Sequence, residues 1–303
     1  MSELRYDGRS VIVTGAGRGV GRGHALLFAS RGAKVVVADL GGALEGGGRS
    51  SGPADDVVKE IQDAGGEAVA VVASVAEPEG ATQIVQAAID AFGRIDVVVN
   101  NAGIADPDLF IDLTPDRFRL MIDVHYMGTV QVCLAAWPHM VAAGYGRIVN
   151  TTSEAAFGLV PKATSYGGAK GAVLGFSREL ALEGAPLGIH TNMVSPRAST
   201  RLSGPEILAK TNDIPVESVN VEKMQKAFPA ESVAPTAVFL GHESCTLNGE
   251  VFIAGGREVR RVALVENTGF TGENITPEDV AANLATIRDL GAATEILAKP
   301  HGS

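Results

Sequence analysis

Three side chains of this 303-residue chain could together move a proton: Ser153, Tyr166 and Lys170. Tyr166 and Lys170 stand four residues apart in a stretch, Ser165–Glu183, whose pattern predicts a helix, so they share one face. A nearby ammonium favours tyrosinate and is expected to draw the Tyr166 pKa toward neutrality. A tyrosine tuned in that way is a usable general acid/base. Ser153 lies just past a predicted strand, Arg147–Thr151, where its hydroxyl could hold a substrate oxygen. A tyrosine and a lysine four apart are also a common surface pair, so the pair gains weight only from its setting.

That setting begins at Thr14–Gly21, TGAGRGVG. Gly15, Gly17, Gly19 and Gly21, with Arg18 and Val20 between them, would form a tight turn opening a helix. A helix N-terminus so placed favours a pyrophosphate. Asp39 ends the second strand-like run, where a carboxylate can accept from adenosine ribose hydroxyls and repel a 2′-phosphate. NAD is therefore the expected cofactor. Arg18 is a counter-signal, since it could meet a 2′-phosphate. Asn100, Asn101, Ala102 and Gly103 close the fourth strand-like run and could equally be an ordinary turn.

Strand-like runs at Ser10–Thr14, Lys34–Asp39, Ala68–Ala73, Ile95–Val99, Arg147–Thr151, Ile189–Val194 and Glu250–Ile253 must position these residues. They alternate with helical stretches at Val20–Arg31, Ala54–Ala64, Glu77–Phe92, Pro115–Ala143 and Ser165–Glu183. The alternation implies βαβ crossovers, and the nearly all-apolar strands imply helices on both faces. The expected fold is α/β, a Rossmann-type doubly wound parallel sheet with ligands at the carboxyl ends of its strands. Leu40–Pro53 is a glycine- and serine-rich loop. The stretch 199–231 is polar and broken by proline, and is either a lid over the substrate or a long surface connection. Thr276 offers an N-cap, with Pro277 at N1 and Asp279 at N3. One domain is expected: 1–255 catalytic, with 256–303 as a C-terminal extension packed on it.

The formal net charge of −10 argues against nucleic acid as a partner. No apolar run is long enough for a membrane span, and no signal peptide is visible. Cys133 and Cys245 form no disulfide framework and no zinc or redox motif, so a cytoplasmic setting and no metal are expected.

Taken together, TGAGRGVG, Asp39, NNAG, Ser153 and the Tyr166–Lys170 pair resemble the short-chain dehydrogenase/reductase family over roughly Arg9–Gly255. The resemblance implies about seven strands and hydride transfer between a nicotinamide and a carbinol carbon. It implies Tyr166 as the proton acceptor in oxidation and Lys170 as a holder of the nicotinamide ribose. It also implies cofactor contacts from Ser74, Val75, Pro196, Ala198, Ser199 and Thr200, and dimers or tetramers built through Pro115–Ala143 and Ser165–Glu183. Two positions depart from the family pattern. His125 stands in Asp123-Val124-His125-Tyr126-Met127-Gly128 where the family usually has an asparagine that anchors a relay water. His125 could relay protons itself, with a pKa near neutrality, or be structural. After the sixth strand, Ser195-Pro196-Arg197-Ala198 lacks the usual glycine.

The loop after Asp39, the segment VHYMGTVQVCLAAWPHM, GHESCTLNGEVF and the tail TPEDVAANLATIRDL are similar to the 3-hydroxyacyl-CoA dehydrogenase domain of peroxisomal multifunctional enzyme type 2. That domain also carries histidine at the position of His125. Actinobacterial members of the group are often labelled hydroxysteroid dehydrogenases. An acyl-CoA or a steroid-like secondary alcohol is thus the implied substrate. Arg257, Arg260 and Arg261 could serve acyl-CoA phosphates, or be a solvated basic patch.

Overall fold

The computed structural model describes residues 3–43 and 48–296. Valine and isoleucine runs form the strands because β-branched side chains pack well on a pleated, buried surface. They are β1 (Ser10–Thr14), β2 (Lys34–Ala38), β3 (Glu67–Val71), β4 (Val97–Asn100), β5 (Gly146–Thr151), β6 (Ile189–Pro196) and β7 (Val251–Gly255). All seven run parallel in the order β3-β2-β1-β4-β5-β6-β7. An eighth strand, β8 (Glu258–Val262), closes the edge antiparallel to β7. β4 begins later than its apolar run suggests. The buried Asp96 carboxylate instead accepts from the Ser10 N–H at 2.9 Å and from Arg9 at 2.8 Å, tying the two strand starts together.

Helices α1 (Gly19–Ser30), α2 (Gly52–Asp63) and α3 (Pro78–Phe92) follow β1, β2 and β3. Val11, Val13, Val35 and Val37 point into one core with Ala25, Phe28 and Val57. Ile12, Val36, Val98 and Ile148 point into the other with Ile84, Val132 and Met140. Each fully buried side chain of this kind contributes about 1.5–3 kcal/mol. The strand order turns back between β1 and β4, and a doubly wound sheet opens a ligand crevice at that point.

The expected helix Pro115–Ala143 is three pieces: α4 (Pro115–Met121), a π-helical segment Ile122–Met127 and α5 (Gly128–Ala143). Such segments occur often at functional sites, and this one carries His125. α6 (Thr164–Gly184) carries Tyr166 and Lys170. The stretch 199–231 is not structureless. It holds α7 (Pro205–Asn212) and α8 (Val221–Ala227) among short turns. Both helices are too brief to show a period in the sequence, and Pro205 starts α7 rather than breaking it.

After α9 (Ala234–Gly241) and the two last sheet strands come β9 (Val265–Glu266), α10 (Pro277–Ala282), α11 (Leu284–Arg288) and β10 (Thr294–Glu295). α10 begins with a capping box between Thr276 and Asp279, with Pro277 at its first position. β9 and β10 pair, and Arg178 of α6 donates to the Ile296 carbonyl at 2.7 Å. Part of the glycine-rich loop, 44–47, lies outside the described residues. Cys133 and Cys245 are both free and buried.

His24 on α1 is fully buried, and neither ring nitrogen has a hydrogen-bond partner. Burial pushes its pKa down to about 4. The unfolded chain takes up this proton near about pH 6.5 while the folded chain resists it, so stability is present at neutral pH and falls as pH drops from about 6.5 toward 4. His24→Leu should remove about 2 kcal/mol of the stability lost between about pH 7 and pH 5, as read by urea unfolding at the two pH values.

Candidate active site

A cleft of about 820 Å³ runs across the carboxyl ends of the central strands. At the turn point, Asn101 after β4 fastens the loop after β1. Its side-chain amide donates to the Thr14 and Gly15 carbonyls at 3.0 and 3.2 Å, and its backbone N–H donates to the Thr14 hydroxyl at 3.0 Å. The two loops lie so close that a Cβ on Gly15, whose φ is +63°, would stand 2.8 Å from the Ala102 Cα. The sequence left NNAG open as an ordinary turn; the structure makes it the brace of the glycine loop.

That loop leads into α1, whose N-cap is Arg18 and whose first turn has no side-chain cap. Its free N–H groups therefore suit an anionic ligand. Gly15, Arg18, Gly19, Val20 and Gly21 line this end of the cleft, with Asp39, Ser74, Val75, Asn101, Ala102 and Gly103. The Asp39 carboxylate accepts from the N–H groups of Gly17 and Gly41, both at 2.7 Å. Each of its oxygens keeps a lone pair for a further donor. The uncapped helix terminus and the oriented carboxylate together fit a pyrophosphate and a ribose diol. The residues present thus suit a nicotinamide dinucleotide, which would supply the hydride acceptor or donor.

Three residues expected at the cofactor do not line the cleft. Gly17 instead presents its N–H to Asp39. Asn100 is buried, donating to Asn150 Oδ1 at 2.9 Å and lying 3.3 Å from Cys133 Sγ. Ser199 is held by its backbone N–H donating to the Phe228 carbonyl at 2.7 Å. Pro196, Ala198 and Thr200 do line it.

At the far end the cleft meets Ser153, Tyr166, Lys170 and His125. Ser153 caps the short turn Glu154–Phe157, accepting from the Ala155 N–H at 3.2 Å, which fixes its hydroxyl beside β5. Tyr166 lines the same end of the cleft as Ser153, whose hydroxyl acts to lower the Tyr166 pKa. Lys170 is buried, and its ammonium donates to the Thr151 carbonyl at 2.7 Å while lying 5.8 Å from the Tyr166 ring centre.

The electrostatics differ from the sequence expectation. Burial raises the Tyr166 pKa, opposed by the neighbouring Ser153 hydroxyl. The same burial pushes Lys170 down to about 7. A desolvated site penalises tyrosinate and ammonium alike, so the pair does not ionise the tyrosine unaided.

His125 is buried with its ring edge-on to Tyr166, centres 5.0 Å apart. Its Nε2 lies 3.0 Å from the Ile104 carbonyl, and its Nδ1 has no partner. Burial, then the charge of Lys170, push its pKa well below the usual histidine value. Of the two readings left open for His125, a proton relay with a pKa near neutrality or a structural residue, the burial disfavours the charged form that a titrating relay would need. Gly103 makes room for it: a Cβ there would stand 2.6 Å from the His125 ring.

The chain matches the family model described as short chain dehydrogenase over residues 9–203. It belongs to the short-chain dehydrogenase family. It is 43% identical over 94% of its length to a Mycobacterium tuberculosis protein bearing the name short-chain type dehydrogenase/reductase, covering 96% of that protein. It is 40% identical to mouse peroxisomal multifunctional enzyme type 2 over 97% of its length, but spans only 38% of that enzyme. A solved 7α-hydroxysteroid dehydrogenase, complexed with NADH and 7-oxo glycochenodeoxycholic acid, superposes with a TM-score of 0.70 at 28% identity, covering 85% of this chain and 98% of that one.

In this dehydrogenase the stretch 199–231, open in the sequence between a lid and a surface connection, supplies part of the cleft wall. Ile104, Leu120, Val124, Val160, Ile207 and Leu208 line the cleft around the catalytic end, so that end is apolar. None of Arg257, Arg260 and Arg261 is among the lining residues. Arg260 pairs with Glu258, and Arg261 with Glu250 and Glu295, on the far edge strand β8.

The missing glycine after Pro196 also finds its reason. Arg197 forms a two-pronged ion pair with Glu154, one bond of 2.8 Å and one of 2.5 Å, joining the residue after Ser153 to the residue after Pro196. The signal was the arginine itself, at a position where the backbone does not need positive φ. Glu154→Gln, Arg197→Ala and the double variant should show a coupling of about 1 kcal/mol in a urea-unfolding cycle. Additive effects would mean that the pair is not holding the two loops together.

Proposed function

We propose that this oxidoreductase transfers a hydride between NAD(H) and a secondary alcohol or ketone, a hydroxysteroid or a 3-hydroxyacyl-CoA, as a cytoplasmic homodimer or homotetramer. The observation that carries this reading is the joining, in one cleft, of Asp39 at one end with Ser153, Tyr166 and Lys170 at the other. In oxidation the Ser153 hydroxyl orients the substrate oxygen and Tyr166 takes its proton. Lys170 would hold the nicotinamide ribose and, when protonated, places a positive charge beside Tyr166. Neutral His125, bonded to Ile104 and with Nδ1 open, is a hydrogen-bond relay behind Tyr166 rather than a titrating base. The likeness to an NADH-bound hydroxysteroid dehydrogenase and to multifunctional enzyme type 2 supports the substrate classes. The apolar end suits a steroid body or an acyl chain alike, and the engagement of Arg260 and Arg261 elsewhere favours the steroid. The competing readings are a reductase of another carbonyl and a dinucleotide-binding protein without turnover.

NADH formation should appear with steroid secondary alcohols or 3-hydroxyacyl-CoAs in a mixed panel, and silence across both sets would end the substrate assignment. Tyr166→Phe should lower kcat by about a hundredfold or more while NADH fluorescence titration stays unchanged. An active Tyr166→Phe would remove Tyr166 from the chemistry. Asp39→Ala should weaken NAD binding by about tenfold, equivalent to about 1.4 kcal/mol, and narrow the preference over NADP.

A further inference from the structure

Among the described residues, two that are not glycine have positive φ: Lys162 at +54° and Asp213 at +55°. They are ion-paired to each other. Asp213 is the residue after α7, where a left-handed conformation is a normal way to end a helix. Lys162 has no such excuse. It lies between the Ser153 turn and α6, four residues before Tyr166, and a long side chain there carries strain of about 1 kcal/mol or more. Backbone strain persists where the surroundings hold it in place.

The surroundings of Lys162 do so. Its side chain is only 13% exposed, low for a lysine. Its ammonium donates to the Lys210 carbonyl at 2.8 Å, one of the open carbonyls in the last turn of α7, besides pairing with Asp213. A cation at a helix C-terminus is favoured by the helix dipole. Its own carbonyl accepts from the Asp108 N–H at 2.9 Å. The Asp108 carboxylate in turn pairs with Lys210 of α7 and with Arg117 of α4, both at 3.0 Å, and Arg117 holds Asp106 on the cleft wall. Charges of alternating sign thus run from the loop after β4 to both sides of the last turn of α7. Among secondary-structure elements α7 packs chiefly on its own flanking turns, Arg201–Ser203 and Val216–Ser218. Yet Ile207, Leu208 and Thr211 of α7 line the cleft, as do Pro161 and Ala163 on either side of Lys162.

We propose that Lys162 is a positioning residue for the substrate: by capping α7 and pairing with Asp213 it holds the apolar face of α7 against the catalytic end of the cleft. The kinetic part of this inference rests on the dehydrogenase reading; the structural part does not. Lys162 is not itself a lining residue, so its loss acts through α7.

Hydrogen exchange of the full chain with NADH present tests the clamp without any substrate. Lys162→Ala should raise amide exchange in Pro205–Asn212 by about three- to tenfold, the size expected from one partly exposed ion pair plus a helix-end charge. Exchange in β5 and the C-terminal half of α6 should not change. Lys162→Gly, which also relaxes the left-handed position, should loosen α7 equally, and Lys162→Arg should largely restore it. Added sodium chloride should loosen α7 more in the wild type than in Lys162→Ala, where the Lys210–Asp108 pair alone is left to be screened. With whichever of a steroid secondary alcohol and a medium-chain 3-hydroxyacyl-CoA turns over, KM should rise by a similar factor while kcat and NADH affinity hold. Unchanged α7 exchange in both the Ala and Gly variants overturns the proposal, as does loosening spread evenly over α6 and β5. If neither compound turns over, the exchange result still decides the clamp, and only the reading of the reaction has failed.

Discussion

The catalytic end depends on one buried ammonium. Lys170 sits inside the protein because the Thr151 carbonyl, at the last residue of β5, is turned to receive it. That bond ties the second turn of α6 to the end of a central strand and helps set where Tyr166, one turn earlier, stands. Ser153 follows the same strand end, and Thr152 between them donates to the Lys170 carbonyl at 3.2 Å, so strand, serine, tyrosine and lysine are placed together. The energetic cost of desolvating the amine lowers its own pKa and raises that of the neighbouring phenol. The site thus holds both groups nearer to their neutral forms than their types suggest, and the substrate-bound state must supply the rest of the electrostatics.

Much of this was legible from residue types. The order of strands and helices, the glycine loop, Asp39 and the four-residue spacing of Tyr166 and Lys170 all follow local rules of period, turn chemistry and face. The capping box at Thr276 was readable for the same reason, since it involves three neighbouring residues. The wall of the cleft was not. Ile207 and Leu208 sit on an eight-residue helix with no period to detect, and only tertiary contacts show which way they face. Electrostatics misled in the opposite direction. A lysine near a tyrosine carries a secure charge on paper that burial disfavours, and burial is not written in a short stretch of sequence.

Ion pairs do a second kind of work around the cleft. The loops that follow β4, β5 and β6 each carry a charged residue next to a cleft residue: Asp106 and Asp108, Glu154, and Arg197. Each is joined to a partner on another loop or helix. Loops are the least constrained parts of a fold. Here charge pairs link them to one another across the mouth of the sheet, while the apolar contacts stay beneath.

The π-helical segment Ile122–Met127 has a consequence for how the chain tolerates change. An α-helix turns each residue by about 100°, and one extra residue per loop of backbone puts α4 and α5 out of rotational step by about that much. The imidazole of His125 is presented to Ile104 and Tyr166 from within this segment. Most substitutions in the segment would leave the offset in place, whereas removing a single residue would let the backbone relax to a regular helix. That would swing one of the two flanking helices to a different face. Length, more than composition, is therefore what this segment has to preserve.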